Sequence, residues 1–296
     1  MIGRVSAVSY SLDATIYPSY TYALFKAYGG WLIKQYGFGR GGGMMLTNGF
    51  LKYKGFTERE VMDLSGLWYK PTSLLNDLDP KVREDVEKIV DIYCYVRISI
   101  SPHDRNLIFI LTFLSRRTDF HINVVKWASK LFSIINDVDE ALRIDLRSIG
   151  GSYQIKQLKE ALKSYLEIAD GRISDPWTLR MKLLEIRNVG PKVADAFILF
   201  HTYNSWIAPS DIHYQNFVKR INIFKYSSIP EKRKCLKYTC IECVENNKCL
   251  TGLSYHKLGK LAGWLQTVSY IHDKKYCSRG RCLECPIKKL CRKHPK

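Results

Sequence analysis

Lys192 and Asp211 stand nineteen residues apart, each in a setting that suits chemistry. Lys192 follows Asn188-Val189-Gly190-Pro191, a break where Asn and Gly can take a left-handed backbone and Pro191 is pre-set to open a new helix. Exposed backbone N–H groups, a partial positive charge and a lysine then meet at one place, which makes an anion site. Partial desolvation and nearby positive charge lower the pKa of such an amine and let it act as a nucleophile. Asp211, in Pro209-Ser210-Asp211, offers a carboxylate that can stabilise positive charge. Taken singly, Lys192 reads equally as a phosphate-binding lysine and Asp211 as an ordinary helix N-cap.

The elements that would hold this pair can be read from periodicity. Leu179, Leu183, Leu184 and Ile186 recur at helical spacing after Ser174-Asp175-Pro176, which predicts an amphipathic helix. Val193, Ala194, Phe197, Ile198 and Phe200 give the next helix a buried face, so residues 177–203 read as helix, hairpin, helix. A third helix is expected over Ile212 to Ile221, capped by Asp211 and basic at its Lys219-Arg220 end. Residues 107–114 are too short to span a membrane and read as a core helix. Residues 1 to about 60, with Gly29-Gly30 and Gly41-Gly42-Gly43 between β-branched and aromatic stretches, read as antiparallel strands. From Thr57 the texture becomes helical.

Eight of the nine cysteines form two quartets with identical spacing: Cys235, Cys240, Cys243, Cys249 and Cys277, Cys282, Cys285, Cys291. Tight four-thiolate sets in a basic segment imply metal, because disulfides suit oxidising compartments. Four cysteines within fifteen residues suit a compact [4Fe–4S] cluster, and zinc is the alternative. Cys94 reads as a buried small hydrophobe in a helix. The net charge of +18 and pI near 9.4 point to a polyanionic partner, nucleic acid before membrane. Residues 196–296 hold 19 Lys and Arg against 6 Asp and Glu, so the positive surplus is concentrated there. No basic-then-apolar leader is visible at the start, and with clustered cysteines this suggests a reducing, intracellular setting: cytoplasmic and nucleoid-associated, or nuclear in a eukaryote.

The run Val189-Gly190-Pro191-Lys192-Val193-Ala194-Asp195, followed by Pro209-Ser210-Asp211-Ile212-His213, resembles the helix-hairpin-helix DNA glycosylases, the superfamily of endonuclease III and 8-oxoguanine DNA glycosylase. The Lys-to-Asp spacing is similar to that of the 8-oxoguanine branch, with Asn188 where the first hairpin glycine is usual. The resemblance implies that Lys192 attacks C1′ of a damaged nucleotide and that Asp211 assists. A Schiff base through an amine also implies β-elimination of the 3′ phosphate, hence a lyase. Leu258 to Val268 resembles the late pocket helix of the family and puts a base-reading amide at Gln266 and a ring at Tyr270, four residues apart on one helical face. Ala196 stands where that family has a cysteine, which implies a wider pocket.

Leu12 to Ser19 resembles the start of the family's N-terminal sheet domain, with Tyr20-Thr21 where a Gly-Gln pair contacts the base. Ser115-Arg116-Arg117-Thr118-Asp119 resembles the turn that fills the gap left by a flipped base, with Arg117 and Thr118 as candidates. Read without the resemblance, it is a solvated basic turn. Gly150 and Gly151, in Leu146 to Gln154, resemble a phosphate-contacting hairpin, although the bare sequence shows only a glycine turn. The second quartet, with Cys285-Pro286, resembles the cluster loop of endonuclease III; the first has no counterpart there.

The expectation is therefore an α+β protein, mainly helical and two-lobed, with a small N-terminal antiparallel sheet and C-terminal Cys-rich metal loops. Its parts would be residues 1–95 (sheet and linking helices), 96–234 (the helix-hairpin-helix part) and 235–296 (loops 235–249 and 277–291 with the second-lobe helices). The implied activity is a base-excision glycosylase with AP lyase activity on an oxidised, 8-oxoguanine-like lesion in double-stranded DNA, acting as a monomer without a membrane. A water-using monofunctional glycosylase and a non-catalytic DNA-binding protein are the other readings.

Overall fold

A computed structural model describes residues 2–169 and 173–292. Five strands form one antiparallel sheet in the order β1(Ile2–Ser6), β5(Phe50–Lys54), β4(Gly43–Thr47), β3(Trp31–Lys34), β2(Phe25–Tyr28). Register runs Ile2 opposite Lys54 and Gly43 opposite Lys54 on the other side, so β5 sits between β1 and β4. The stretch that resembles the start of the sheet domain is not a strand. Leu12–Ile16 is α-helical, capped by Ser11, and Tyr20–Leu24 is a 3₁₀ turn capped by Ser19. Serine caps, which supply acceptors to otherwise orphaned N–H groups, outweigh the β propensity of Thr15, Ile16 and Tyr17 here.

The sheet has its own small core, including Leu12, Ile16, Met44, Leu51, Val61 and Leu64. It is joined to the helical body by polar anchors buried on both sides: Lys34 pairs with Asp104, and Ser19 Oγ donates to Ser99 O at 2.9 Å. Helix Glu58–Ser65 opens with a capping box in which Thr57 and Glu60 satisfy each other's backbone N–H.

The large core is helical. Helix Arg105–Leu114 buries seven of its ten residues, which answers to the uninterrupted apolar run seen in the sequence. It packs on helix Pro191–His201, itself buried from Val193 to Phe200. Helix Ala262–Lys275 closes the core, with Trp264 fully buried and its Nε1 donating to Val96 O at 2.9 Å. Gly263 makes that closure possible: a Cβ there would lie 2.4 Å from Leu199 Cδ1 and 2.8 Å from Ser205 O. Cys94 follows helix Pro80–Tyr93 as its C-cap and is half-buried, so it is not the buried hydrophobe its apolar neighbours suggested. Among the described residues no helix is long and apolar enough to cross a membrane.

Candidate active site

An open cavity of about 1010 Å³ is lined by Lys192, Asp211, Gln266, Tyr270, Ala196, Asn188, Gly190, Arg117 and Thr118, along with residues the sequence did not mark. Residues as far apart in sequence as Arg117 and Tyr270 are thus brought to one wall system. Helices Pro176–Glu185 and Pro191–His201 form the hairpin, and Asn188 supplies its left-handed residue at φ +65°. Gly190 does not share that role. It is extended (φ −107°) and N-caps the lysine helix, and open space surrounds the place of a Cβ. The bare backbone leaves the helix N-terminus accessible.

Lys192 Nζ donates to Tyr20 Oη and to Ser115 Oγ, both at 2.9 Å, and those two hydroxyls are 2.7 Å apart. Tyr20 is held edge-on between Phe120 and Phe200. The two hydroxyls fix the amine's direction. Tyr20 was marked in the sequence only as a departure in a base-contacting pair; its contact with Lys192 needed the fold, because 172 residues separate them.

Asp211 caps helix Ile212–Ile221 as expected, its Oδ1 accepting from Tyr214 N at 2.8 Å. Its Oδ2 accepts from Gln266 Nε2, also at 2.8 Å. Cap and carboxylate chemistry are therefore shared by two oxygens of one side chain. Gln266 Oε1 and Tyr270 Oη are buried without a hydrogen-bond partner. Burial drives the Tyr270 phenol well above its ordinary range, so it stays protonated. Tyr270 lies beside His213, His121 and Tyr17. His121 stacks on Tyr17 at 4.1 Å, and burial lowers its pKa to about 4, so it is neutral at pH 7.

The turn after helix Arg105–Leu114 is built around Arg116. Its Nη1 donates to Asn188 O at 3.1 Å and its Nη2 to Gln157 Oε1 at 3.0 Å, while its own carbonyl accepts from Gln154 Nε2 at 2.7 Å. Arg116 thus ties the turn to the hairpin and to the segment around Tyr153. Arg117 stands next to it, exposed and left-handed at φ +51°, facing the cavity. Thr118 is less free, since its Oγ1 accepts from Asn123 Nδ2 at 2.9 Å. Asp119 caps the following π-helical turn Phe120–Val124 and accepts from Lys274 Nζ at 2.7 Å, which binds the turn to the pocket helix. Gly150 and Gly151 do not line the cavity. Gly150 is packed against Ile155 and Trp127, and Tyr153, from the same Gly-Tyr-containing stretch, reaches the cavity instead.

The pocket helix ends in a charged network. His213 Nδ1 lies 2.7 Å from Asp273 Oδ2, and Asp273 also accepts from Ser278 Oγ at 2.6 Å and Arg220 Nη1 at 3.2 Å. Burial opposes the Asp273 charge, but these partners hold its pKa down to about 2.

All nine cysteines are free thiols, and among the described residues no three His, Cys, Asp or Glu side chains converge on a single-ion site. Burial, the largest cause, raises the thiol pKa values of Cys235, Cys240 and Cys249 in the first quartet, with the Asp195 carboxylate adding to the shift and Arg180 opposing it at Cys235 and Cys240. In the second quartet, burial is the first cause of the same shift at Cys277 and Cys285. Buried thiols that resist ionisation on their own suit a cation that would repay the cost of their charge. A buried guanidinium at the first set points the same way. Arg180 Nη2 lies 3.7 Å from Cys235 Sγ, and its Nη1 has no partner.

No protein-family model and no curated protein matches the sequence. Solved structures do match the fold. The Clostridium acetobutylicum 8-oxoguanine glycosylase/lyase, bound to double-stranded DNA with cytosine opposite 8-oxoguanine, superposes with TM-score 0.68 at 14% identity, over 93% of this chain and 98% of that one. MBOgg1 in complex with a low-affinity DNA ligand gives 0.67 at 16% identity over 93% and 96%. A trapped endonuclease III–DNA covalent intermediate gives 0.52 at 15% over 72% and 94%. The fold is that of the helix-hairpin-helix DNA glycosylases. Within that fold the expected α+β architecture, a small antiparallel sheet on a mainly helical body, holds for this chain.

Proposed function

We propose that the protein is a DNA glycosylase with AP lyase activity that removes a damaged base, oxidised and 8-oxoguanine-like, from double-stranded DNA. The observation that carries the reading is that Lys192 and Asp211 line one open cavity whose wall also holds Gln266 and Tyr270. A flipped nucleotide would put C1′ near Lys192 Nζ. Cleavage of the N-glycosidic bond makes the sugar positive, and the Asp211 carboxylate would stabilise that charge as the amine adds to C1′. The leaving base takes a proton and the added amine gives one up; the C1′–O4′ bond then opens, O4′ taking a proton, to leave a protonated Schiff base, and loss of a C2′ proton from it expels the 3′ phosphate by β-elimination.

Base recognition follows from two unsatisfied groups. Gln266 Nε2 is committed to Asp211, so its free Oε1 is an acceptor for a base N–H, while the protonated Tyr270 Oη is a donor. Leaving buried polar groups unpaired costs free energy that a ligand recovers on binding. Arg117 would fill the vacated stack, and open backbone at Gly190 with Asn188 would take a phosphate at the helix N-terminus.

The second quartet would hold a [4Fe–4S] cluster and the first a second cluster or zinc. When bound, either group supplies rigidity to a loop whose exposed lysines and arginines meet phosphates, a contribution to affinity and not to base choice.

The test is borohydride trapping on duplexes carrying 8-oxoguanine, an oxidised pyrimidine or an abasic site, with Lys192→Gln beside the unaltered protein. A covalent adduct lost in the variant is expected. Abasic product without any adduct would turn the reading to a water-using glycosylase; neither product on any duplex would defeat the enzyme reading.

A further inference from the structure

Arg180 is the most deeply buried cation among the described residues, fully excluded from solvent on the first helix of the hairpin. Its Nε donates to Asp195 Oδ1 at 2.5 Å and its Nη2 reaches both Asp195 Oδ2 at 3.4 Å and Cys235 Sγ at 3.7 Å. Asp195, equally buried, lies one turn beyond Lys192 on the lysine helix. Nη1 is left without a partner. A buried guanidinium with one carboxylate and one idle N–H edge is under-satisfied, and the sulfur set of the first quartet, whose Cys235 already meets Nη2, lies beside it.

Both ends of that quartet reach catalytic elements. Before it, Lys232 Nζ donates to Ile186 O at 2.8 Å, the C-cap residue of the first hairpin helix. After it, Cys249 N-caps helix Leu250–Leu258. From that helix Thr251 Oγ1 lies 2.6 Å from Ser210 Oγ, and Ser254 Oγ lies 2.7 Å from Tyr214 Oη, so it grips both sides of Asp211. The loop is pressed onto this helix at Gly252, where a Cβ would meet Asn246 O at 2.5 Å.

We propose that the first cysteine quartet, with Arg180 as the buried counter-charge of its metal group, is the fastener that holds the Lys192 hairpin and the Asp211 helix in register. The proposal rests on the reading that this quartet binds metal. A four-thiolate group, zinc or iron–sulfur, is net negative, and burying it requires an opposing charge. Arg180 supplies it, and through Asp195 makes the lysine helix part of the metal site. Arg180 is a positioning residue: it touches neither Lys192 nor the cavity lining.

Two independent arms test this in the full chain. In the first, Arg180→Met combined with Asp195→Leu removes both charges together, so neither is stranded. Metal and acid-labile sulfide per chain are followed during challenge with a chelator. At least tenfold faster release of one of two metal groups is expected; release within twofold of the unaltered protein overturns the counter-charge role. In the second, Cys240→Ser is examined by amide hydrogen exchange. Exchange should rise tenfold or more in both segments 186–192 and 208–214 and stay unchanged in strands 43–54; no change in the two segments overturns the fastener. If Cys240→Ser carries the same metal content as the unaltered protein, it is the metal reading of the first quartet that fails, a result distinct from either of the others.

Discussion

Replacement of Asp211 separates its two duties. Its Oδ1 caps the helix through Tyr214 N, and its Oδ2 holds Gln266 Nε2, both at 2.8 Å. Asparagine keeps the cap, because Asn and Asp are equivalent there. Its amide nitrogen would face Gln266, whose Oε1 is free and can turn to accept it. Asp211→Asn should therefore leave stability within about 0.5 kcal/mol of the unaltered protein, whereas Asp211→Ala loses the cap, about 1 kcal/mol. In a chain of this size that is a fall of roughly 2–4 °C in Tm. The charge is another matter. A carboxylate about 4 Å from a forming positive sugar, at an effective dielectric of about 20, is worth about 4 kcal/mol, or about 10³ in rate. Single-turnover excision from a damaged duplex, with protein in excess and a thermal melt alongside, should show both variants slowed by about 10³ and only the alanine variant melting early. An asparagine variant within tenfold of the unaltered rate would show that Asp211 is a cap and nothing more.

Tyr20→Phe removes one of two acceptors on Lys192 Nζ at the cost of about one neutral hydrogen bond, near 1 kcal/mol; borohydride trapping should slow about fivefold while duplex affinity, read by anisotropy, is unchanged. Arg116→Ala cuts the links from the turn to Asn188 and Gln157 and should cost about 2 kcal/mol in denaturant unfolding, together with weaker duplex binding; an unchanged midpoint would show that the turn holds itself. His121 and His201 are kept neutral by burial with pKa values near 4, against 6.5 for the free side chain. The unfolded chain takes up protons below pH 6.5 that the folded chain refuses until about 4, so stability is full above 6.5 and is lost as pH falls through that window; urea midpoints at pH 7 and pH 5 should differ, and equal midpoints would contradict the buried neutral imidazoles.

Local signals carried much of this site because they act over a few residues. The Asp211 cap, the Asn188 turn and the Pro191 helix start were legible since each depends on backbone geometry that only certain side chains satisfy. The misreading of Gly190 as left-handed came from two permissive residues within three positions, of which the hairpin uses the first. Long-range partners were not legible. Nothing near Tyr20 or Ser115 in sequence indicates that both point at Lys192, and the sequence, which marked Arg117 and Thr118, carried no sign that Arg116 folds inward on three partners while Arg117 is left outside. Likewise Thr15, Ile16 and Tyr17 favour a strand, and only the Ser11 cap, read together with a sheet already complete without it, makes Leu12–Ile16 a helix.

The interior shows where charge can be tolerated and why. Lys34–Asp104 and Arg180–Asp195 are both fully buried pairs, yet they are satisfied differently. Asp104 also accepts from Phe38 N and Ser101 Oγ, so the first pair is closed on itself and serves to join sheet to helices. Arg180 keeps an idle donor beside thiols. A buried pair replaced by apolar residues is often no less stable, whereas one with a stranded member is strongly destabilising. The closed pair needs no further partner, although its exchange for apolar residues would strand the Phe38 N–H and Ser101 Oγ that Asp104 accepts from. The open one gains its full satisfaction only when the neighbouring sulfurs carry negative charge, so the stability of the hairpin that bears Lys192 should depend on the state of the first quartet and that of the sheet junction should not.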